Sequence, residues 1–164
     1  MINLNKVITL TGHKNCGKYN VAMDLAENSD VAFIKPYTDR EIPLDDIPEE
    51  YGDFHYVSKD TLDLMIEDDE ILSSTMIDGN RYVFFKFQLT AQYNVLIADD
   101  YAVVDIKSNW GDVYSVKVYS DKQIDSDRVG VYLYDHEFDE IFHYGLDDVD
   151  ELEWRIGSDE CTDK

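Results

Sequence analysis

Residues 7–20 read Val-Ile-Thr-Leu-Thr-Gly12-His13-Lys14-Asn15-Cys16-Gly17-Lys18-Tyr19-Asn20. A β-branched apolar run enters Gly-x-x-x-x-Gly-Lys and leaves into a helical pattern. Few chain paths fit that order: a buried strand, a tight glycine loop, then a helix whose first N–H groups and one Lys face a common point. Backbone N–H groups and a Lys so placed cradle phosphate. Gly12, Asn15, Gly17 and Lys18 are the candidate phosphate contacts, with Tyr19 and Asn20 following. The residue after the Lys is ordinarily Ser or Thr, whose hydroxyl goes to Mg²⁺. Tyr19 puts a bulky phenol there instead, so the cradle is kept and the metal handle is spoiled.

The 164 residues fit one domain, 1–164, long enough to bury a core. With 44% hydrophobic and 13% aromatic residues the chain reads as globular despite 36 acidic against 14 basic side chains, a net −22. That field repels bare nucleic acid and anionic membranes, so direct nucleic-acid binding is not expected and a basic protein is the natural macromolecular partner. Cys16 and Cys161 are too few for a disulfide framework. Without a run of 18 apolar residues or a cationic leader, a cytoplasmic location is the expectation. His13, His55, His136 and His143 show no metal-ligand spacing.

The pattern predicts strands over Lys6–Thr11, Val31–Ile34, Phe54–Ser58, Val95–Ala98 and Tyr114–Tyr119. It predicts helices over Gly17–Glu27 and from Ser58, where Leu62, Met65 and Ile66 share a face. Ile71–Met76 and Arg81–Leu89 read as a hairpin around Asp78-Gly79-Asn80, and Asp99-Asp100 ends a strand. Lys35 to Tyr51, with all three Pro residues, reads as an irregular excursion. From Asp135 to Lys164 twelve acids face two bases, with Phe138, Ile141, Phe142, Leu146, Val149, Leu152 and Ile156 in a helical rhythm. The expected architecture is α/β with three layers and an inserted β-rich segment.

Motif by motif, residues 5–119 resemble guanylate kinase. Pro36-Tyr37-Thr38-Asp39-Arg40-Glu41-Ile42-Pro43 is similar to that family's Thr-Thr-Arg-x-x-Arg, with Arg40 at the first arginine and Pro43 at the second. Gly52-Asp53-Phe54-His55-Tyr56-Val57-Ser58 follows its Tyr-x-Phe-Val-Ser strand, with Phe54 where a phosphate-binding Tyr belongs. Ser73 stands for a guanine-reading Glu, Tyr82 is retained, Phe84 replaces a hydroxyl residue, and Asp99 keeps the strand-end carboxylate. The resemblance implies a P-loop nucleoside monophosphate kinase-like fold with ATP and Mg²⁺ as cofactors. The acceptor-binding segment would span 35–90, the lid would be reduced, and an acidic region would cover 135–164. It also implies Lys18 and Arg40 as catalytic residues, Tyr56, Ser73 and Tyr82 as further acceptor contacts beside Arg40, and Asp99 as the metal carboxylate. The small size and divergence fit a phage-encoded protein.

The departures carry weight. Phosphoryl transfer depends on positive charge at the equatorial oxygens, and losing one arginine finger can cost roughly 10³ to 10⁵ in rate. Where the family has an arginine-rich lid, this chain offers Lys122, Arg128 and, much later, Arg155. Two readings stay open: a nucleoside monophosphate kinase of the GMP or dGMP type, or a degenerate domain that binds a protein partner through an acidic, nucleic-acid-mimicking surface and retains some phosphate or nucleotide binding. Each candidate has a plain alternative as well. Cys16 can be filler, Arg40 can pair with nearby carboxylates, Asp99 can end a strand, and the acidic C-terminal region can be solvated surface.

Overall fold

β1 (Lys6–Thr11) is buried at every one of its six positions. A β-strand puts alternate side chains on opposite faces, so such a strand has to lie inside a sheet covered on both sides. The computed structural model describes residues 5–13, 16–41, 54–120, 138–144 and 147–162, and places β1 at the centre of a five-stranded parallel sheet. The strand order is β2 (Val31–Phe33), β7 (Tyr93–Ile97), β1, β8 (Val113–Ser120), β9 (Glu140–Tyr144).

On one face Ile8, Leu10, Val95, Val116, Val118 and Phe142 pack against α1 (Lys18–Leu25) and α4 (Val149–Thr162) through Val21, Ala22, Leu25, Leu152 and Ile156. On the other, Val7 and Leu96 meet α3 (Asp100–Asn109) at Ala102, Val103 and Ile106. Leu72, Phe84 and Leu89 join this second cluster, so the smaller sheet is anchored on α3. Asn109 Nδ2 fixes the contact by donating to the Leu72 carbonyl at 3.0 Å.

The smaller sheet has the order β4 (His55–Tyr56), β3 (Tyr37–Thr38), β6 (Asn80–Phe85), β5 (Ile71–Ile77). Its outer face is covered by α2 (Lys59–Asp68), where Leu62, Met65 and Ile66 pack with Val83 and Phe85 as the periodicity predicts. Ser58 caps α2, its Oγ accepting from the Thr61 N–H at 3.1 Å. The β5–β6 turn is Asp78-Gly79, with φ of 52° and 81° and Ile77 paired to Asn80. That is the two-residue left-handed turn whose twist suits a hairpin. Among the described residues no helix is long and apolar enough to cross a membrane.

Two expectations are corrected. The strand expected over Arg81–Leu89 stops at Phe85. Lys86–Gln88 forms a 3₁₀ turn because Gln88 Oε1 accepts the Phe85 N–H at 2.9 Å while its Nε2 donates to the Lys35 carbonyl at 2.6 Å. After Asp99 the chain enters α3, a helix that the pattern did not predict. The helical rhythm expected from Asp135 begins only at Val149; before it, Glu140–Tyr144 is drawn into register with β8, Phe142 beside Val118.

Gly157 lies within α4, and a Cβ built on it meets nothing within 4 Å. Glycine in a helix interior carries an entropic cost that alanine does not. Gly157→Ala should raise the urea midpoint by the equivalent of about 0.5–1 kcal/mol with an unchanged slope. A midpoint that falls would contradict this placement.

Candidate phosphate and acceptor site

β1 delivers the chain to Gly12 at the C-terminal edge of the parallel sheet. A Cβ on Gly12 would lie 2.5 Å from Cys16 Sγ and 2.5 Å from the Val118 carbonyl oxygen, so only glycine fits. Cys16 is wholly buried beneath it, and its N–H closes the loop onto the His13 carbonyl at 3.1 Å. This is the filler role, not that of an accessible thiol. Gly17, with φ of 97°, turns the chain into α1, whose N-terminus receives no side-chain cap. Lys18 Nζ folds back onto the carbonyls of Gly12 (3.0 Å) and His13 (3.2 Å). Asn15 and Lys14 lie outside the described residues.

Glycines at both ends, an uncapped helix start and a Lys ammonium held at the loop mouth fit a phosphate group. The fit to Mg²⁺ is poor. Tyr19 sets its ring edge-on to Phe33, 6.0 Å between centroids, and Asn20 is exposed on α1. Asp99 spends its Oδ1 on the Ala102 N–H at 2.7 Å as the cap of α3, the strand-ending role. Among the described residues no three His, Cys, Asp or Glu side chains form a metal cluster.

Beside the loop, on the α3 face, register aligns Thr9 with Ser115 and Thr11 with Lys117. The Thr9 and Thr11 hydroxyls are buried without a hydrogen-bond partner among the described residues. Lys117 Nζ pairs with Asp100 Oδ1 at 3.2 Å and lies 5.2 Å from the Phe138 ring centre. Sequence reasoning missed Lys117, although a lysine facing inward on a buried strand was its signal.

In the smaller sheet, Thr38 lies across from Tyr56 on one side and Tyr82 on the other, and Tyr82 from Thr75. Residues directly across neighbouring strands share a face, so Tyr56 and Tyr82 stand together on the face opposite α2. Phe54 completes the patch, its ring 6.0 Å from Tyr56 and 5.5 Å from Tyr82. Arg40 leaves β3 beside them, its N–H donating to Thr38 Oγ1 at 3.2 Å. Ser73, opposite Phe84, is buried. The structure thus gathers Tyr56 and Tyr82 near the start of the Arg40 segment, and keeps Ser73 under cover on β5.

Arg81, given no role from sequence, braces this sheet. Its backbone N–H and Nε each donate to Asp39 at 2.8 Å, Nη1 donates to Asp63 at 2.7 Å and Nη2 to the Lys59 carbonyl at 3.3 Å. Burial pushes the Asp39 carboxyl up, but the Arg81 N–H, guanidinium and charge outweigh it and hold the group below its ordinary 3.8. Alternation along β6 was the signal, since Arg81 must face away from Tyr82 toward α2.

The expected lid cations divide. Lys122 and Arg128 lie outside the described residues. Arg155 bonds Glu140 through Nε at 2.8 Å and through Nη2, with Glu151 at 3.7 Å. Tyr114 donates to the second oxygen of Glu140 at 2.6 Å, and burial, then that carboxylate, pushes its phenol well above the ordinary value. Arg155 therefore neutralises an internal acid.

A central parallel sheet with a glycine loop after its first strand, helices on both faces and an appended small sheet define a kinase-like P-loop α/β fold. The guanylate kinase of Anaplasma phagocytophilum superimposes on it with a TM-score of 0.60 at 13% identity, over 99% of this chain and 87% of that one. The fold is therefore guanylate-kinase-like, and at that identity the likeness is one of fold. A second solved structure, APE1195, reaches a TM-score of 0.44 at 9% identity over 98% of this chain and 97% of that one, and carries no argument. No family model matches the sequence, and no curated protein matches it.

Two outcomes test this geometry. Gly12→Ala should destabilise the fold by about 1–3 kcal/mol, the usual cost of forcing atoms into a packed site, and should abolish any thermal shift given by inorganic phosphate. Asp39→Asn should cost about 1–3 kcal/mol at neutral pH. Because the folded carboxyl titrates below its unfolded value of 3.8, its contribution is complete above that pH and lost as pH falls through the folded value. Urea titrations should therefore show wild type and Asp39→Asn converging below about pH 4.

Proposed function

We propose that this chain is a guanylate-kinase-like domain that keeps a phosphate-binding loop, has lost efficient phosphoryl transfer, and acts in the cytoplasm as an acidic module for a basic protein surface. Such a surface would be one that ordinarily meets nucleic acid, whose charge the acids imitate. The observation that carries the reading is the exposed surface of α4. Asp150 and Glu151 are exposed there, and Trp154 is 73% exposed beside them. A tryptophan left in water amid exposed acids is costly in a solvated helix face and favourable at an interface centre.

The groups that would run transfer support the same reading. Asp99 caps a helix, Arg155 serves Glu140, and Lys117 is paired with Asp100. The kinase reading has one specific observation in its favour, the position of Lys18 over the loop carbonyls. In that reading Lys18 would bind the nucleotide phosphates, with ATP as donor, and Arg40 with Tyr56, Ser73 and Tyr82 would hold the acceptor.

With ATP, Mg²⁺ and GMP or dGMP, turnover should stay below the roughly 1–100 s⁻¹ usual for kinases. Turnover within that range, abolished by Lys18→Ala, would put the kinase reading first. ATP or inorganic phosphate should stabilise wild type by up to about 2.7 kcal/mol at a hundredfold excess over Kd, and leave Lys18→Ala unmoved. Association with a basic protein should weaken steeply with salt. It should also weaken when Asp147, Asp148, Asp150 and Glu151 are neutralised to Asn or Gln; indifference to both would remove the interaction reading.

A further inference from the structure

At the edge of the sheet away from the glycine loop, a groove of about 420 Å³ runs between the C-terminal end of α1 and α4. Its floor is aliphatic, with Leu25 and Ile156 among its lining and each at most 2% exposed. Its lining also includes Asp30, Asp150, Glu153 and Trp154. Of these, Asp30, Asp150 and Trp154 are exposed and Glu153 is half-buried. Asp150, Glu153 and Trp154 fall at i, i+3 and i+4 on α4, so they form one stripe along its groove side. Among the described residues none of the three carboxylates is in an ion pair. Arg155, on the same helix, is bonded to Glu140 and Glu151 and to none of these three.

We infer that this groove is the docking site for a short arginine-rich segment of the basic partner protein, with an arginine stacked on Trp154, its aliphatic stem against the half-buried Val31 and Tyr93 of the lining, and its charge among Asp30, Asp150 and Glu153. The inference rests on the interaction reading above and narrows it to one site. Charge complementarity selects the occupant. Three acids around an apolar floor suit a side chain with a hydrocarbon stem and a cationic head. A flat guanidinium stacks on an indole face, which a compact ammonium cannot do as well. Glu153 registers the deficit of positive charge: burial first, then Asp150 and Glu27, hold its carboxyl above the ordinary carboxylate value. The groove also lies apart from the phosphate loop, so both can be occupied in one molecule.

The test is the affinity of the intact protein for a short dye-labelled peptide of alternating arginine and alanine, measured by anisotropy at low salt. Trp154→Ala and Glu153→Gln should each weaken binding about tenfold, as truncation at an interface centre does. Trp154→Phe should retain most of the affinity, because an aromatic wall remains. Asp148→Asn with Glu151→Gln, on the same acidic stretch but outside the groove, should cost less than about threefold, as screened surface charges do. Equal losses from every acidic variant, with Trp154→Ala unchanged, would overturn the groove and leave the broader acidic-surface reading standing. No binding by the wild-type protein would remove both. Displacement of the peptide by spermine at lower concentration than by unlabelled peptide would assign the groove to a small polyamine and overturn the protein segment.

Discussion

Most of the larger sheet depends on β1 lying between β7 and β8 with both faces dry. A parallel sheet obtains its cover from helices that cross over it, so one central strand brings α1 and α4 to one side and α3 to the other. Parallel strands also end together. The turn at Gly12 and the cap at Asp99 thus arrive at one edge of the sheet, with Lys117 beside them on β8. The close approach of Gly12 to the Val118 carbonyl leaves no room there for a side chain. Site geometry here follows from strand order.

A second constraint is the scarcity of cations. With 36 acids against 14 bases, most acids must go without a partner. Lys6, 1% exposed, answers Asp112; Arg81 answers Asp39 and Asp63; Lys86, Lys107, Lys117 and Arg155 answer Glu70, Asp139, Asp100 and Glu140. A buried unpaired carboxylate costs far more than an exposed one. Among the described residues these pairs take up six bases, while Asp150 and Glu153 of α4 are in no ion pair. Arg81 and Arg155 are both bound to acids with little solvent exposure, Asp39 and Glu140.

The sequence made legible whatever is decided locally. The strand–loop–helix from Lys6, the Ser58 cap and the Asp78-Gly79 turn all rest on residue types with one favoured conformation. α3 was illegible because Val103 and Val104 are β-branched and Asp99-Asp100 imitates a terminating turn; the helix is held by burial of Ala102, Val103 and Ile106 against the sheet. β9 was hidden because Phe138, Ile141 and Phe142 also fit a helix, and only pairing with β8 decides between the two. In the site, the glycine loop could be read directly. The commitments of Asp99, Arg81 and Arg155 could not, since each depends on a neighbour that the fold supplies.

The long spans across β1 bear on how the protein is made. Trp110 Nε1 donates to the Asn5 carbonyl across 105 residues, and Lys6 meets Asp112 across 106. During synthesis at about 5–20 residues per second, β1 leaves the ribosome roughly 5–20 s before those partners exist. Until β7 is made its Val-Ile-Thr-Leu run has neither sheet neighbour, a state open to pairing with other chains. The innermost strand of the finished molecule is among the first segments made, and it waits in water for both of its neighbours.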